Sequence, residues 1–472
     1  MDQSKFSKSF IQNLEFVPTD NQRDAIKKLS LFITHLSDLD LFILKGYAGT
    51  GKTSLMGALV KTLTENRIKS VLLAPTGRAA KVLSYFTNRP TSTIHRKIYF
   101  RSENSVDGFV LGANKHTDTL FIIDEASMIG GNNMNDGRYS RNLLDDVIEY
   151  VYSGSNCKLV FVGDTGQLPP VGSPLSPALN GSYLSKSYSL DIHESVLTQV
   201  VRQKGSSGIL DIATSLREFR NDFLGLETNN RDTFFISGLE LQDELESAIN
   251  NFGQDEVMVV TRSNKRANLF NQQIRRRILW QEDDLNAGDV IMATRNNYFW
   301  IDPKSPAGFI ANGELMEIKK VIRREEIFGC EFADVEVTLI DYPEMKDVEL
   351  KILVSSIMDE GPSFSTEKYR ELFMRIAAEE YPLEGNKRIR NRKVMANPYF
   401  QALQVKFGYA VTCHKSQGGQ WGAIFIDQGY FLEDMWDEEY MRWLYTAVTR
   451  ATAKLYLVNF TAFFNRDLEE DN

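Results

Sequence analysis

The sequence is short of the features that mark secreted or membrane-spanning chains. Its three cysteines, Cys157, Cys330 and Cys413, are odd in number, far apart and without metal-ligand spacing. That argues against a disulfide framework or a zinc cluster and points to a reducing, cytoplasmic setting. No run approaches the 18 apolar residues of a membrane helix, and the N-terminus MDQSKFSKSF lacks a signal-peptide core. No membrane role is expected. Sequence repeats and low-complexity linkers are also lacking.

Positive charge is scarce overall: 54 Lys and Arg against 63 Asp and Glu leave a formal charge of −9. A simple nucleic-acid-coating protein is usually basic, so the balance argues weakly against one. The distribution along the chain points the other way. Residues 66–102 hold eight Lys or Arg and no acid, 257–281 hold six and none, and 385–426 hold seven and none. Such stretches read either as solvated helix faces or as a channel that tracks phosphates.

At 472 residues the chain exceeds a single core and should hold two to four domains. The short apolar runs LFILK (41–45), VLLA (71–74), LFII (120–123) and LVFV (159–162) alternate with helix-length segments. That rhythm predicts a parallel sheet covered on both faces. VMVV (257–260), KFGYAVT (406–412), AIFI (423–426) and LYLV (455–458) repeat it. Between them, GELMEIKKVI, ADVEVTLID and VELKILV alternate as antiparallel strands do, and STEKYRELFMRIAAEEY is helical.

The chemistry gathers at strand ends. GYAGTGKTS (46–54) is a phosphate loop directly after a strand and before a helix. Gly46, Gly49 and Gly51 allow N–H groups around Thr50 to turn toward phosphate oxygens, and the helix beginning near Ser54 adds its dipole. Lys52 supplies a charge to the β- and γ-phosphates, and Thr53 a hydroxyl to Mg²⁺. Asp124 in FIIDEAS would hold the same Mg²⁺ while Glu125 polarises the attacking water. Gln167 in LVFVGDTGQLPPVGSP either reads the γ-phosphate of ATP from the next strand end or caps a turn before Pro169 and Pro170.

These motifs, in this order, resemble superfamily 1 helicases, specifically the 5′→3′ branch with RecD-like and Dda-like enzymes. APTGRAAKVLS (74–84), TSTIHRKI (91–98), GDTGQLPPVG, LTQVVRQ (197–203), VTCHKSQGGQW (411–421) and LYTAVTRA (444–451) look like motifs Ia, Ib, III, IV, V and VI. PTDNQRDAI (18–26) resembles the upstream Q motif and makes Gln22 a candidate adenine reader. The resemblance implies that Arg202 and Arg450 act as arginine fingers. It also implies that Pro75, Thr76, Arg78, Thr93, His95, Thr412, His414, Lys415 and Ser416 line a single-strand track. Gln420 stands where many relatives carry Glu, so ribose recognition is expected to be looser. A hairpin at about 97–118 corresponds to the strand-separating pin, with Phe109 either its wedge or a packing aromatic.

The expected fold is α/β, with two tandem RecA-like domains. Residues 1–185 form the first, 186–292 with 404–472 the second, and 293–403 an SH3-like β-barrel insertion with a helical element. The expected activity is an ATP- and Mg²⁺-dependent DNA helicase acting on single strands and at single-strand/duplex junctions, in replication, repair or recombination. Single-strand-binding or recombination proteins are possible partners. The alternatives are an ATPase subunit of a larger RecBCD-like complex and an RNA-directed remodeller.

Overall fold

A computed structural model describes residues 2–35, 39–101, 109–130, 142–200, 207–217, 223, 225–361 and 363–465, with Arg101 and Phe109 by backbone alone. The chain forms two compact units. The first comprises Met1–Glu227, Gln417–Gly419 and Leu432–Thr449, and the second Thr228–Ser416, Gln420–Phe431 and Arg450–Asn472. Among the described residues no helix is long and apolar enough to cross a membrane.

In the first unit the strands are β1 (Asp40–Gly46), β2 (Lys69–Ala74), β3 (Thr91–Thr93), β4 (Tyr99–Arg101), β5 (Phe109–Leu111), β6 (Thr119–Ile123), β7 (Lys158–Gly163) and β8 (Asp191–Leu197). Six of them make a parallel sheet in the order β3-β2-β6-β7-β1-β8. Successive side chains of a strand point to opposite faces. Phe42, Leu44, Leu120, Ile122, Val160 and Val162 therefore enter one core, and Leu41, Ile43, Phe121, Ile123, Leu159 and Phe161 the other. Both faces are covered, which is why these runs read as continuously apolar. β4 and β5 pair antiparallel from Tyr99↔Leu111 to Arg101↔Phe109 as the stem of the expected hairpin. The turn itself lies outside the described residues.

The expected boundary at residue 186 cuts off a strand that the first sheet holds: β8 pairs with β1 from Asp40↔Asp191 to Gly46↔Leu197. As an edge strand it is covered on one side only and carries Asp191, His193 and Glu194. No apolar run announces it.

The second unit contains β9 (Thr233–Ile236), β10 (Val257–Thr261), β11 (Val290–Ala293), β12 (Leu315–Ile327), β13 (Cys330–Leu339), β14 (Val348–Leu353), β15 (Leu403–Phe407), β16 (Ala410–Thr412), β17 (Trp421–Asp427) and β18 (Ala451–Val458). Its parallel sheet runs β16-β10-β17-β18-β9, and β11 to β15 close into a barrel. The run KFGYAVT, expected as one strand, is two: β15 ends in the barrel and β16 starts the sheet edge. Gly408 sits at the break, where a Cβ would meet Leu315 and Val290 side chains at 2.8 and 2.9 Å. The barrel thus includes residues 290–292 and 404–407, beyond the expected 293–403. Helices Thr366–Glu379 and Lys387–Met395 pack on it through Phe328, Phe332, Leu372, Ile376 and Phe400.

Candidate nucleotide site and single-strand track

The sheet order of the first unit brings the carboxyl ends of β6, β7 and β1 side by side. The segments following these strands carry Asp124–Glu125, Asp164–Gln167 and the phosphate loop. Ligands of open parallel sheets bind at this edge.

The phosphate loop turns through Gly49 and Gly51 at φ 74° and 79°, a region that glycine enters without a Cβ clash. Helix Lys52–Glu65 begins there. Thr50 is fully buried and its hydroxyl donates to the Tyr47 carbonyl at 2.7 Å, bracing the turn. Lys52 Nζ donates to the carbonyls of Gly46 and Tyr47 at 2.6 and 3.0 Å. Thr53 is half-buried and Ser54 exposed.

Glu125 adopts φ 52°, a left-handed backbone uncommon for glutamate. Such conformations cost on the order of 1–3 kcal/mol and persist where the surroundings enforce them, often at reacting centres. Asp124 Oδ1 accepts from the Glu125 amide at 2.9 Å. Burial, and after it the Glu125 charge, push the Asp124 carboxyl up to about 7. A divalent cation would relieve that cost, and the Asp124 carboxylate with the Thr53 hydroxyl is the hard-oxygen set Mg²⁺ takes. The residues fit the ion.

Gln167 is buried, and its Oε1 has no hydrogen-bond partner among the described residues. A buried acceptor left open costs about 1–3 kcal/mol and calls for an explanation. Asp164 holds the turn before it: Oδ1 accepts from Gly166 N at 2.9 Å, and Oδ2 accepts from the Tyr445 hydroxyl at 2.7 Å. The Tyr445 oxygen in turn accepts from Ala48 N of the phosphate loop at 2.8 Å. Leu168 N donates to Thr446 Oγ1, and Gln417 Nε2 donates to Leu168 O, both at 2.8 Å. Arg217 Nη2 donates to Ala48 O at 2.9 Å, with its guanidinium over the Tyr47 ring.

Sequence reasoning missed Asp164, Arg217, Gln417, Tyr445 and Thr446. Asp164, Gln417, Tyr445 and Thr446 stand inside recognised motifs, so they could have been named. Nothing in the sequence marks Arg217.

Two candidates are fully buried and already hydrogen-bonded within the protein. Gln22 is fully buried: its Oε1 accepts from Thr19 N at 3.0 Å in a capping box, and its Nε2 donates to Thr50 O at 2.9 Å. It braces the phosphate loop. Ser416 is fully buried and its hydroxyl donates to Cys413 O at 2.7 Å.

Thr76 and Thr93 cap the helices Gly77–Thr87 and Ile94–Ile98, accepting from Ala79 N and Arg96 N. Each hydroxyl keeps its proton to donate. Pro75, Arg78 and His95 are half-buried in the same unit. Burial pulls His95 down to about 4, so it is neutral near pH 7. In the second unit Thr412, His414 and Lys415 are half-buried, and burial lowers Lys415 to about 8. Gln420 is exposed, and Arg450 is buried near Cys413. Arg202 and the Phe109 side chain lie outside the described residues.

The fold and the site define a nucleotide-binding P-loop protein with two parallel-sheet units and the motif series of a helicase. Residues 19–232 match the family described as an AAA domain, and residues 407–458 match the UvrD-like helicase C-terminal domain. The ATP-dependent DNA helicase dda of Enterobacteria phage T4 is 25% identical over 290 residues, covering 58% of this chain and 62% of that protein. The ATP-dependent RecD2 DNA helicase of Deinococcus radiodurans is 29% identical over 206 residues, 42% of this chain and 25% of that protein. A solved Pif1 helicase, studied for DNA unwinding at forked dsDNA, shares the fold at TM-score 0.50 and 15% identity, covering 97% of this chain and 96% of its own. The chain resembles the superfamily 1 helicases of the RecD/Dda type.

Proposed function

We propose that this protein is an ATP-dependent DNA helicase that moves 5′→3′ along single-stranded DNA and opens duplex at junctions. The observation that carries the reading is the convergence at one sheet edge of Lys52, the Asp124–Glu125 pair and a buried Gln167 with an open acceptor. Mg²⁺-ATP, when bound, supplies the phosphoanhydride whose cleavage drives movement. Lys52 and the loop amides of Gly49, Thr50, Gly51 and Thr53 orient the phosphates, with Thr53 and Asp124 holding the ion. Glu125 takes the proton of the attacking water. Gln167 accepts a hydrogen bond from that water and loses this partner after cleavage. Arg202 and Arg450 supply positive charge to the transition state, and Gln420 contacts the ribose.

Pro75, Thr76, Arg78, Thr93 and His95 in the first unit, and Thr412, His414 and Lys415 in the second, each contact the single strand, and the hairpin bearing Phe109 is the pin. The motor units are 1–227 with 417–419 and 432–449, and the remainder of the chain, with the barrel inserted in the second. Polarity follows the relatives of the 5′→3′ branch.

Forks with a single-stranded tail on one side only test the reading. Unwinding from the 5′ tail, dependent on ATP, is expected. Unwinding from the 3′ tail refutes the polarity. DNA-stimulated ATP hydrolysis without unwinding on either fork refutes the autonomous helicase.

A further inference from the structure

We propose that the Tyr445 hydroxyl is a positioning group that ties the phosphate loop to the Gly-Asp-Thr-Gly-Gln turn, so that nucleotide occupancy and the placement of Gln167 change together. The inference rests on the reading of the chain as an ATP-driven motor. The linkage begins at one carboxylate oxygen. Asp164 Oδ2 accepts from Tyr445 at 2.7 Å and lies 3.8 Å from Lys52 Nζ. The other carboxylate oxygen holds Gly166 N, one residue before Gln167. Asp164 therefore links the loop lysine to the backbone that carries Gln167.

Tyr445 is fully buried, and its hydroxyl uses both of its capacities, accepting from Ala48 N–H and donating to Asp164. Burial, followed by the Asp164 charge, raises the phenol well above its usual range, so it stays a donor. Ala48 is clamped at its N–H by Tyr445 and at its carbonyl by Arg217. The loop cannot shift at this residue without pulling on the hydroxyl.

The turn is held equally closely. A Cβ on Gly166 would stand 3.0 Å from Tyr445 Cε1, so the ring lies directly against the turn. On the far side of Gln167, Leu168 N–H is held by Thr446, the next residue of the same helix, Glu438–Val448. Gln167 is bracketed by two residues that this helix positions. When Lys52 is drawn toward a phosphate, Asp164 loses a nearby cation, and Tyr445 and Gly166 N–H become its remaining donors. Charge–dipole attraction then tightens both contacts in a low-dielectric site. The state of the loop is in this way transmitted to Gln167 through two hydrogen bonds.

Tyr445→Phe removes the hydroxyl and keeps the ring. In the nucleotide-free protein, hydrogen–deuterium exchange of the Ala48 amide should accelerate about tenfold, the scale of one lost hydrogen bond. On a 5′-tailed fork, ATP consumed per base pair opened should rise about tenfold, with single-strand Kd within about twofold of wild type. Thr446→Val supplies a second, independent arm: wild-type exchange at Ala48, with the same rise in ATP per base pair. Wild-type exchange in Tyr445→Phe overturns the tie. Wild-type ATP per base pair in either variant overturns the coupling, and Thr446→Val still decides it if Tyr445→Phe fails to fold. Absence of unwinding by the wild-type protein defeats the helicase reading instead, while the exchange experiment continues to judge the tie.

Discussion

Lys52 stands 3.8 Å from the Asp164 carboxylate while its ammonium donates to the carbonyls of Gly46 and Tyr47. The loop lysine is thus satisfied by its own loop and can exchange carbonyl oxygens for phosphate oxygens without a large movement. Lys52→Ala should lower ATP turnover by roughly 10²–10³-fold, the usual loss when one charge-stabilising donor is removed. Fluorescent-nucleotide binding and steady-state hydrolysis check it.

Glu125→Gln separates binding from chemistry. The amide keeps the shape of the strained residue at φ 52° but cannot take a proton. Nucleotide affinity should remain near wild type while single-turnover hydrolysis falls by about 10²–10⁴-fold, the range for losing a general base.

Gln167 carries a stability signature opposite to its importance. Its open Oε1 is a burden in the free protein. Gln167→Met should leave Tm unchanged or raise it, because a buried acceptor without a partner costs about 1–3 kcal/mol. The same variant should retain single-strand binding and spend more ATP per base pair opened. A clear fall in Tm would mean that the amide is structural.

Lys415 gives a pH dependence with two signs. Burial lowers it from 10.5 to about 8. Between those values the unfolded chain binds more protons than the folded one, so stability from this group rises with pH across that window. Below it both states are charged and the contribution is constant. Strand binding runs the other way if the ammonium meets a phosphate: affinity should fall roughly tenfold from about pH 7 to about pH 9, as loss of one required proton dictates. Lys415→Arg, which does not titrate there, should flatten the profile measured with a thymidine oligonucleotide.

The second unit depends on a buried ion pair at the entry to its barrel. Arg275 Nε and Nη2 donate to the two oxygens of Asp289 at 2.7 and 2.8 Å, and both residues are buried. Asp289→Ala strands the guanidinium and should destabilise the protein by about 3–5 kcal/mol. Denaturant titration followed by circular dichroism measures the loss.

The two parallel sheets, the barrel inserted in the second unit and the glycine-rich loop after β1 were all legible in the residue pattern. Strands buried on both faces must be apolar throughout, and phosphate binding demands glycine, lysine and a hydroxyl at fixed spacing, so each leaves a local mark. An edge strand such as β8 leaves none, because much of its surface is exposed. Capping also mimics function locally: Gln22 and Ser416 occupy motif positions, yet their hydrogen bonds go to Thr19, Thr50 and Cys413. What no local pattern could reveal is that Tyr445, 397 residues after Ala48 in the chain, shares a hydroxyl with it and with Asp164. A hydrogen bond between distant residues has no period and no spacing. It exists only once the chain has folded and brought a donor and an acceptor within about 3 Å.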